Sequence, residues 1–282
     1  MEKEILGIDL GGTNIRAAKV RGHRITGKQT VVLDNKGGKD GIINQLFHMI
    51  DDMQPEYLSG IGIGVPSYVD IQSGVVYDAV NLPGWVEVPL KALLERQYHI
   101  PVNVNNDSNC FVLGEKHYGK ARDYQSVVGL TLGTGLGAGI IINGQLYTGK
   151  NCGAGEFSSL PYLDKNYEYY TSSEFFHGEH NISAYEAWLQ AHEGDMQALN
   201  IFREYGKHFA ALIKVALTTY DPEAIILGGS ISRAWDYFRD SMYESLRDFE
   251  FQQYIKNMII ERSEKDDIAL LGAAHLLLDT CV

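Results

Sequence analysis

The chain has 282 residues, 45% hydrophobic and 21% charged, a balance ordinary for a soluble globular protein and long enough for two lobes. Its 24 Lys and Arg stand against 36 Asp and Glu, a net charge of −12, which argues against a nucleic-acid-binding surface. Cys110, Cys152 and Cys281 are too scattered for a disulfide framework or a zinc knuckle, and no apolar run approaches the ~20 residues of a membrane span.

In chain order, residues 4–10 and 14–20 read as paired strands, with Val31-Val32-Leu33 as a third. The first strand begins within a few residues of Met1, so no secretory leader is expected and a reducing cytoplasm is the natural setting. From Gly41 to Met53, Ile42, Ile43, Leu46, Phe47 and Ile50 recur at helical spacing. Ile61 to Val65 is a buried strand stopped by Pro66, and Asn81-Leu82-Pro83-Gly84-Trp85 is a loop. A helix over Leu90 to Tyr98 precedes a short strand, Val102 to Val104, which delivers Asn105, Asn106 and Asp107. Another helix follows from Asn109 to His117.

Val127 to Ile142 reads as a second glycine hairpin, and Asn151 to Glu179 as loop. Helices are expected over 182–190, 199–219 and 235–249, with a strand from Ala224 to Leu227 ending in Gly228-Gly229. Asp266-Asp267 can cap a last helix running to about Leu278.

One short pattern occurs twice. Leu6-Gly7-Ile8-Asp9-Leu10-Gly11-Gly12-Thr13-Asn14 near the start matches Val128-Gly129-Leu130-Thr131-Leu132-Gly133-Thr134-Gly135 past mid-chain. Each is an apolar strand, a Gly/Thr turn and a second strand. Such turns point backbone N–H groups into one concavity suited to phosphate, and two could grip a polyphosphate. Each alone also fits an ordinary hairpin. Neither is a dinucleotide fingerprint, because a strand and not a helix follows, and neither carries the Gly-Lys-Ser/Thr of a Walker loop. The duplication points to a two-lobed phosphoryl-transfer enzyme.

Asp9, at the end of its strand, can orient Mg²⁺ on phosphates or merely cap its turn. Asp107, between a strand and a helix, can take a proton from an attacking hydroxyl or serve as a plain N-cap. Glu156, after Gly153-Ala154-Gly155, suits polyol recognition or stands as a solvated loop residue. Gly228-Gly229 suits an adenosine contact or a tight turn. His177-Gly178-Glu179-His180 does not support a metal site, since the glycine argues against a helix there.

These motifs together resemble the ROK family of bacterial sugar kinases and related repressors, within the sugar kinase/Hsp70/actin superfamily. The resemblance runs from Leu6 to about Leu276 and includes Gly62-Ile63-Gly64-Val65-Pro66, Asp221-Pro222-Glu223 and Gly272-Ala273-Ala274. It implies an α/β, two-lobed actin-like ATPase (ribonuclease H-like) fold with duplicated βββαβα-type domains. The lobes are expected at 1–106 plus 266–282, and at 107–265.

The implied activity is ATP-dependent phosphorylation of a hexose, glucose or a related aldohexose at O6. Alternatives are an N-acetylmannosamine, N-acetylglucosamine or fructose kinase, a sugar-responsive regulator, or a weakly active sugar-binding relic. Asp107 is implied as general base and sugar contact, with Asn81, Gly84, Asn106, Glu156, Ser159 and Glu168 as further sugar contacts and Glu174 as the substitute for Glu168. Gly11, Gly12, Thr13 and Asn14, with Thr131, Gly133, Thr134 and Gly135, are implied to hold ATP phosphates. Gly228 and Gly229 then hold adenosine, and Asp9 holds Mg²⁺, directly or through water.

Two departures stand out. The family follows its sugar-binding Glu with Gly-His and a cysteine loop for structural zinc. Here Ser158-Ser159 follow Phe157, and no cysteine lies between Cys152 and Cys281, so no structural zinc is expected. Tyr162, Tyr167, Tyr169, Tyr170, Phe175 and Phe176 are expected to pack in its place. Sugar and ATP are the partners, without nucleic acid or membrane, in a homodimer as the family commonly forms.

Overall fold

The computed structural model describes residues 4–79 and 81–278, so Cys281 lies outside the described residues. The elements run β1 (Glu4–Leu10), β2 (Asn14–Arg21), β3 (Arg24–Val32), α1 (Gly38–Asp52), β4 (Leu58–Val65), β5 (Tyr68–Asp70), β6 (Val75–Tyr77) and β7 (Glu87–Val88). Next come α2 (Leu90–Tyr98), β8 (Val102–Asn106), α3 (Asp107–Tyr118), β9 (Val127–Leu132), β10 (Leu136–Ile142), β11 (Gln145–Tyr147), β12 (Pro161–Tyr162) and β13 (Lys165–Asn166). The chain closes with α4 (Tyr167–Thr171), α5 (Ser173–His180), α6 (Ala184–His192), α7 (Met196–Tyr220), β14 (Ala224–Gly228), α8 (Trp235–Leu246), α9 (Gln252–Asn257), β15 (Ile259–Arg262) and α10 (Ile268–His275).

Two compact units separate. Unit 1 takes Met1–Arg122, Leu146–Ala154 and Lys265–Val282, and unit 2 takes Asp123–Gln145 and Gly155–Glu264. The sheet of unit 1 has the order β3-β2-β1-β4-β8. Its hairpin strands are antiparallel, while β1, β4 and β8 run parallel. Unit 2 repeats the plan as β10-β9-β14-β15, with β9 antiparallel to β10 and parallel to β14, itself parallel to β15. This is the duplicated α/β arrangement that the paired motifs imply.

Parallel strands buried on both faces read as near-continuous apolar runs, as β4 and β14 do. In unit 1, Leu6, Ile8, Ile61 and Ile63 pack with Ile42, Leu46 and Ile50 of α1. In unit 2, Val128, Leu130, Ile225 and Leu227 pack with Phe202, Tyr205, Phe209 and Leu212 of α7, a set at helical spacing. Among the described residues no helix is long and apolar enough to cross a membrane.

The units divide at Arg122 rather than at residue 106. Glycines explain why α3 stays with unit 1. A Cβ on Gly272 would sit 1.8 Å from the Cys110 carbonyl oxygen, and one on Gly114 2.1 Å from that of Ile268, so α3 and α10 pack backbone against backbone. Gly7 and Gly62 admit α10 to the sheet in the same way, at 2.0 and 1.8 Å from the carbonyl oxygens of Leu270 and Ala273.

Several local expectations change. The third strand, β3, runs over nine residues, and β5, β6 and β7 form an unforeseen small sheet. Asp267 precedes α10 without a side-chain cap bond, because its carboxylate pairs with Lys28 Nζ at 2.7 Å. The stretch read as loop from 151 to 179 contains β12, β13 and α4 and most of α5. His177 to His180 are helical after all. Gly178 leaves room for Tyr169, whose Oη would lie 2.1 Å from a Cβ there and would have to move.

Candidate active site

One group of candidate residues lies in unit 1. Strand β1 ends near Asp9, whose register partner across the hairpin is Arg16. Arg16 donates to Asp9 Oδ2 from Nη2 at 2.7 Å and Nε at 3.1 Å, and its Nη1 donates to the Asp266 carbonyl at 3.2 Å. The turn beyond is closed by Gly11 N–H donating to the Asn14 carbonyl at 3.0 Å, leaving Thr13 exposed at its tip. Asn81 lies against this turn, its Cβ 2.7 Å from where a Gly12 Cβ would stand. Gly84, at φ +80°, bends the loop 81–85 while Leu82 and Trp85 anchor it in the core.

Asp107 is the first residue of α3, yet the cap belongs to its neighbour. Asn106 Oδ1 accepts from the N–H groups of Ser108 at 2.9 Å and Asn109 at 3.4 Å, and its Nδ2 donates to the Ser67 carbonyl at 3.3 Å. One amide hydrogen of Asn106 is left for a ligand. Asp107 therefore shares the cap instead of carrying it alone. Its Oδ1 accepts from Ser108 N–H at 2.7 Å and Ser108 Oγ at 3.3 Å. A buried network stands behind it. Asn105 Oδ1 accepts from Asn106 N–H, Asn109 Nδ2 and the Cys152 thiol at 2.8, 2.9 and 3.3 Å.

Burial first, and then the negative charge of Asp9, raise the Asp107 pKa to about 7, against the hydrogen bonds from Ser108. A base poised near neutrality is what proton abstraction at physiological pH requires. Burial also pushes the Cys110 and Cys152 thiols up, so both stand as packing groups rather than nucleophiles.

The residues fit Mg²⁺ in a limited sense. Among the described residues, no three His, Cys, Asp or Glu side chains gather as a metal cage. Mg²⁺ needs only one or two carboxylates beside phosphates and water. Asp9 keeps Oδ1 for that purpose, since Arg16 holds Oδ2.

A second group lies in unit 2. Its turn is closed by Gly133 N–H donating to the Gly135 carbonyl at 3.1 Å. Ser173 braces it, with N–H donating to the Gly133 carbonyl at 2.8 Å and Oγ to the Thr134 carbonyl at 3.2 Å. Glu168, in the first turn of α4, accepts from Leu136 N–H at 3.2 Å through Oε2. Burial, opposed by that N–H and aided by the charges of Glu174 and Glu156, raises the Glu168 pKa. Glu156, Glu168 and Glu174 thus share one electrostatic neighbourhood. The partner of Glu156 is Ser158 Oγ, whereas the expected Ser159 is exposed. Gly229, at φ +81°, turns the chain after β14, and a Cβ there would lie 2.2 Å from the Leu132 carbonyl oxygen. Thr131 lies on β9 in register with Gly228.

Behind α4 the aromatic residues converge. Tyr162 stacks on Tyr167 at 4.5 Å and meets Tyr170 edge-on at 5.4 Å, and His208 of α7 lies 4.6 Å from Tyr170 and 5.4 Å from Phe175. Tyr162 Oη also bonds His208 Nδ1 at 3.2 Å, and Tyr170 Oη donates to Asp164.

Arg16, Ser158, Cys152 and Ser173 were not foreseen. Only Arg16 had a signal: counting outward from the turn pairs residue 9 with residue 16. The others depend on where a loop returns, which no spacing encodes.

Comparison with known proteins places these features in a family. The ROK family model matches residues 5–280. The glucokinase of Thermotoga maritima is 29% identical, covering 97% of this chain and 97% of its own length. The xylose repressor of Bacillus subtilis is 26% identical over 86% of this chain and 67% of its own. Among solved structures, a ROK family glucokinase from Streptomyces griseus in complex with glucose and AMPPNP superposes with a TM-score of 0.84 at 26% identity, covering 97% of this chain and 98% of that one.

Proposed function

The chain belongs to the ROK family, and we propose that it is a sugar kinase that transfers the γ-phosphoryl group of ATP to a primary hydroxyl of a hexose. The observation that carries this reading is Asp107, a half-buried carboxylate that shares the helix cap with Asn106 and is poised at about 7. As the sugar oxygen forms its bond to the γ-phosphorus and ADP leaves, the hydroxyl proton passes to Asp107. Asn81, Gly84 and Asn106 of unit 1 and Glu156, Ser158 and Glu168 of unit 2 supply the polar groups that a polyol needs. Thr13 and Thr134 are the exposed tips of the phosphate turns, and Gly228-Gly229 offers the adenosine contact. Mg²⁺, when bound at Asp9, neutralises phosphate charge.

Glucose or a related aldohexose is the favoured acceptor, on the likeness to two glucokinases. The absence of a histidine after Glu156 keeps N-acetylhexosamines and fructose in the test. We place the enzyme in the cytoplasm as a homodimer, the latter checked by light scattering. The aromatic cluster around Tyr170, rather than zinc, holds the segment after Glu156.

Coupled ADP release with Mg-ATP against a panel of hexoses and N-acetylhexosamines tests the reading. Strong turnover on one sugar names the substrate. Sugar binding without turnover on any member favours the regulator reading, which the xylose repressor relative keeps open.

A further inference from the structure

The four turn glycines divide into two kinds. None of Gly11, Gly12, Gly133 and Gly135 is among the glycines with positive φ, so an L-residue could adopt each backbone conformation. What matters is the space where a Cβ would go. At the first glycine of each turn no side chain intrudes on that space. A Cβ on Gly133 would meet only Ser230 Oγ, at 3.8 Å, and one on Gly11 only the Asn14 carbonyl oxygen, at 3.3 Å.

At the second glycine the space is taken by a side chain. A Cβ on Gly12 would lie 2.7 Å from Asn81 Cβ and 3.4 Å from its Cγ. One on Gly135 would lie 2.9 Å from Glu168 Oε2 and 3.5 Å from its Cδ. Asn81 Cβ, next to the backbone, has little room to give, and the Glu168 carboxylate, at the end of its side chain, would have to swing aside. Both intruding residues are sugar contacts in the proposed function, not phosphate contacts. Glu168 is also fixed by Leu136 N–H, one residue past Gly135, and Ser173 holds the carbonyls of Gly133 and Thr134. The turn and the carboxylate are thus built as one piece.

We propose that the second glycine of each turn, Gly12 and Gly135, is a positioning residue for the sugar, its missing side chain letting Asn81 and Glu168 lie directly against the turn. The first glycines, Gly11 and Gly133, keep for phosphate a face that no side chain fills. Each turn then ties a sugar-binding side chain to a nucleotide-binding backbone. The inference rests on the kinase reading and deepens it.

The test compares wild type, Gly135→Ala and Gly133→Ala, using the panel hexose of highest turnover. Calorimetry without nucleotide measures sugar binding, and steady-state kinetics give KM for sugar and for ATP. Gly135→Ala is expected to weaken sugar binding roughly tenfold or more through overpacking, with KM for ATP changed less than about threefold. Gly133→Ala is expected to show the reverse split. A double variant, Gly135→Ala with Glu168→Asp, separates this from damage to the fold. Shortening the carboxylate by one methylene makes room, so the double variant should bind sugar no worse than Glu168→Asp alone. Additive losses, or a Gly135→Ala enzyme that loses ATP and keeps sugar, overturn the inference while the kinase reading stands. A wild-type protein that binds no sugar overturns both.

Discussion

The two units carry the same strand-turn-strand device with opposite electrostatic content. In unit 1, the residue two before the turn glycine is Asp9, and the hairpin register sets Arg16 opposite it. In unit 2 the matching residue is Thr131, and the register sets Gly137 opposite. The strand beside each hairpin repeats the pattern, with Gly64 in register with Asp9 and Gly228 with Thr131. A charged pair in one copy and a neutral small pair in the other mean that, of the two hairpin strands, only β1 carries a charge that can raise a neighbouring carboxylate. That neighbour is Asp107, brought close because Gly64 has no Cβ to push α3 away. Such a Cβ would lie 3.3 Å from Asp107 Cα. Duplication supplies the scaffold twice, and the proposed base stands beside only one copy.

Removing the base should break this asymmetry most severely. Asp107→Asn is expected to lower kcat by roughly 10²–10⁴-fold while leaving sugar affinity within a few-fold. Equal loss of both would make Asp107 a structural residue. The same substitution should raise the melting temperature. A carboxyl raised in the folded state costs stability once ionised, so the cost appears as pH rises through the unfolded value and is fully present above about 7. A lowered melting temperature at pH 8 would count against that environment.

The pH profile sharpens the comparison next. The base must be ionised, so kcat/KM should fall about tenfold per unit below an inflection near 7 and level off above it. Asp9→Asn removes the like charge, and the inflection should move to lower pH even though overall activity drops. An unmoved inflection would mean that burial alone sets Asp107.

The hairpins, the glycine turns and the strand leading to Asp107 were legible in the sequence because they are local. Apolar runs, Gly-Thr punctuation and their recurrence need no knowledge of the rest of the chain. Which carboxylate is free and which amide caps was not legible. Asn106 and Asp107 are adjacent, and the extended backbone of Asn106, at φ −64° and ψ 145°, is what makes it the cap. The stretch from Asn151 to Glu179 was misread for a similar reason. Its two short helices take their stability from packing on α7, not from periodicity of their own.

Unit 2 is tested by Glu168, whose effect should be smaller and of a different kind. Glu168→Gln keeps the bond from Leu136 N–H but halves the acceptor capacity towards a sugar. Loss of a charge-assisted bond predicts a rise in KM for sugar of roughly 10–100-fold, with KM for ATP little changed. A larger effect on ATP would return Glu168 to the phosphate turn and erase the division of labour between the units.

The smallest effect is expected where unit 2 holds its own loop. Tyr170 donates to Asp164 and packs on His208, linking the β12–β13 hairpin to α7 through α4. Tyr170→Phe keeps the ring contacts and removes the hydroxyl, so unfolding free energy should fall by about 1 kcal/mol. Tyr170→Ala removes both and should cost several times more, because aromatic pairs contribute beyond their buried area. A structural zinc would reverse this order of importance. Its ligands would carry the segment, chelation would lower the melting temperature, and Tyr170→Ala would be mild. With the aromatic residues as the fastening, prolonged chelation should leave the melting temperature unchanged, and metal analysis should find no stoichiometric zinc.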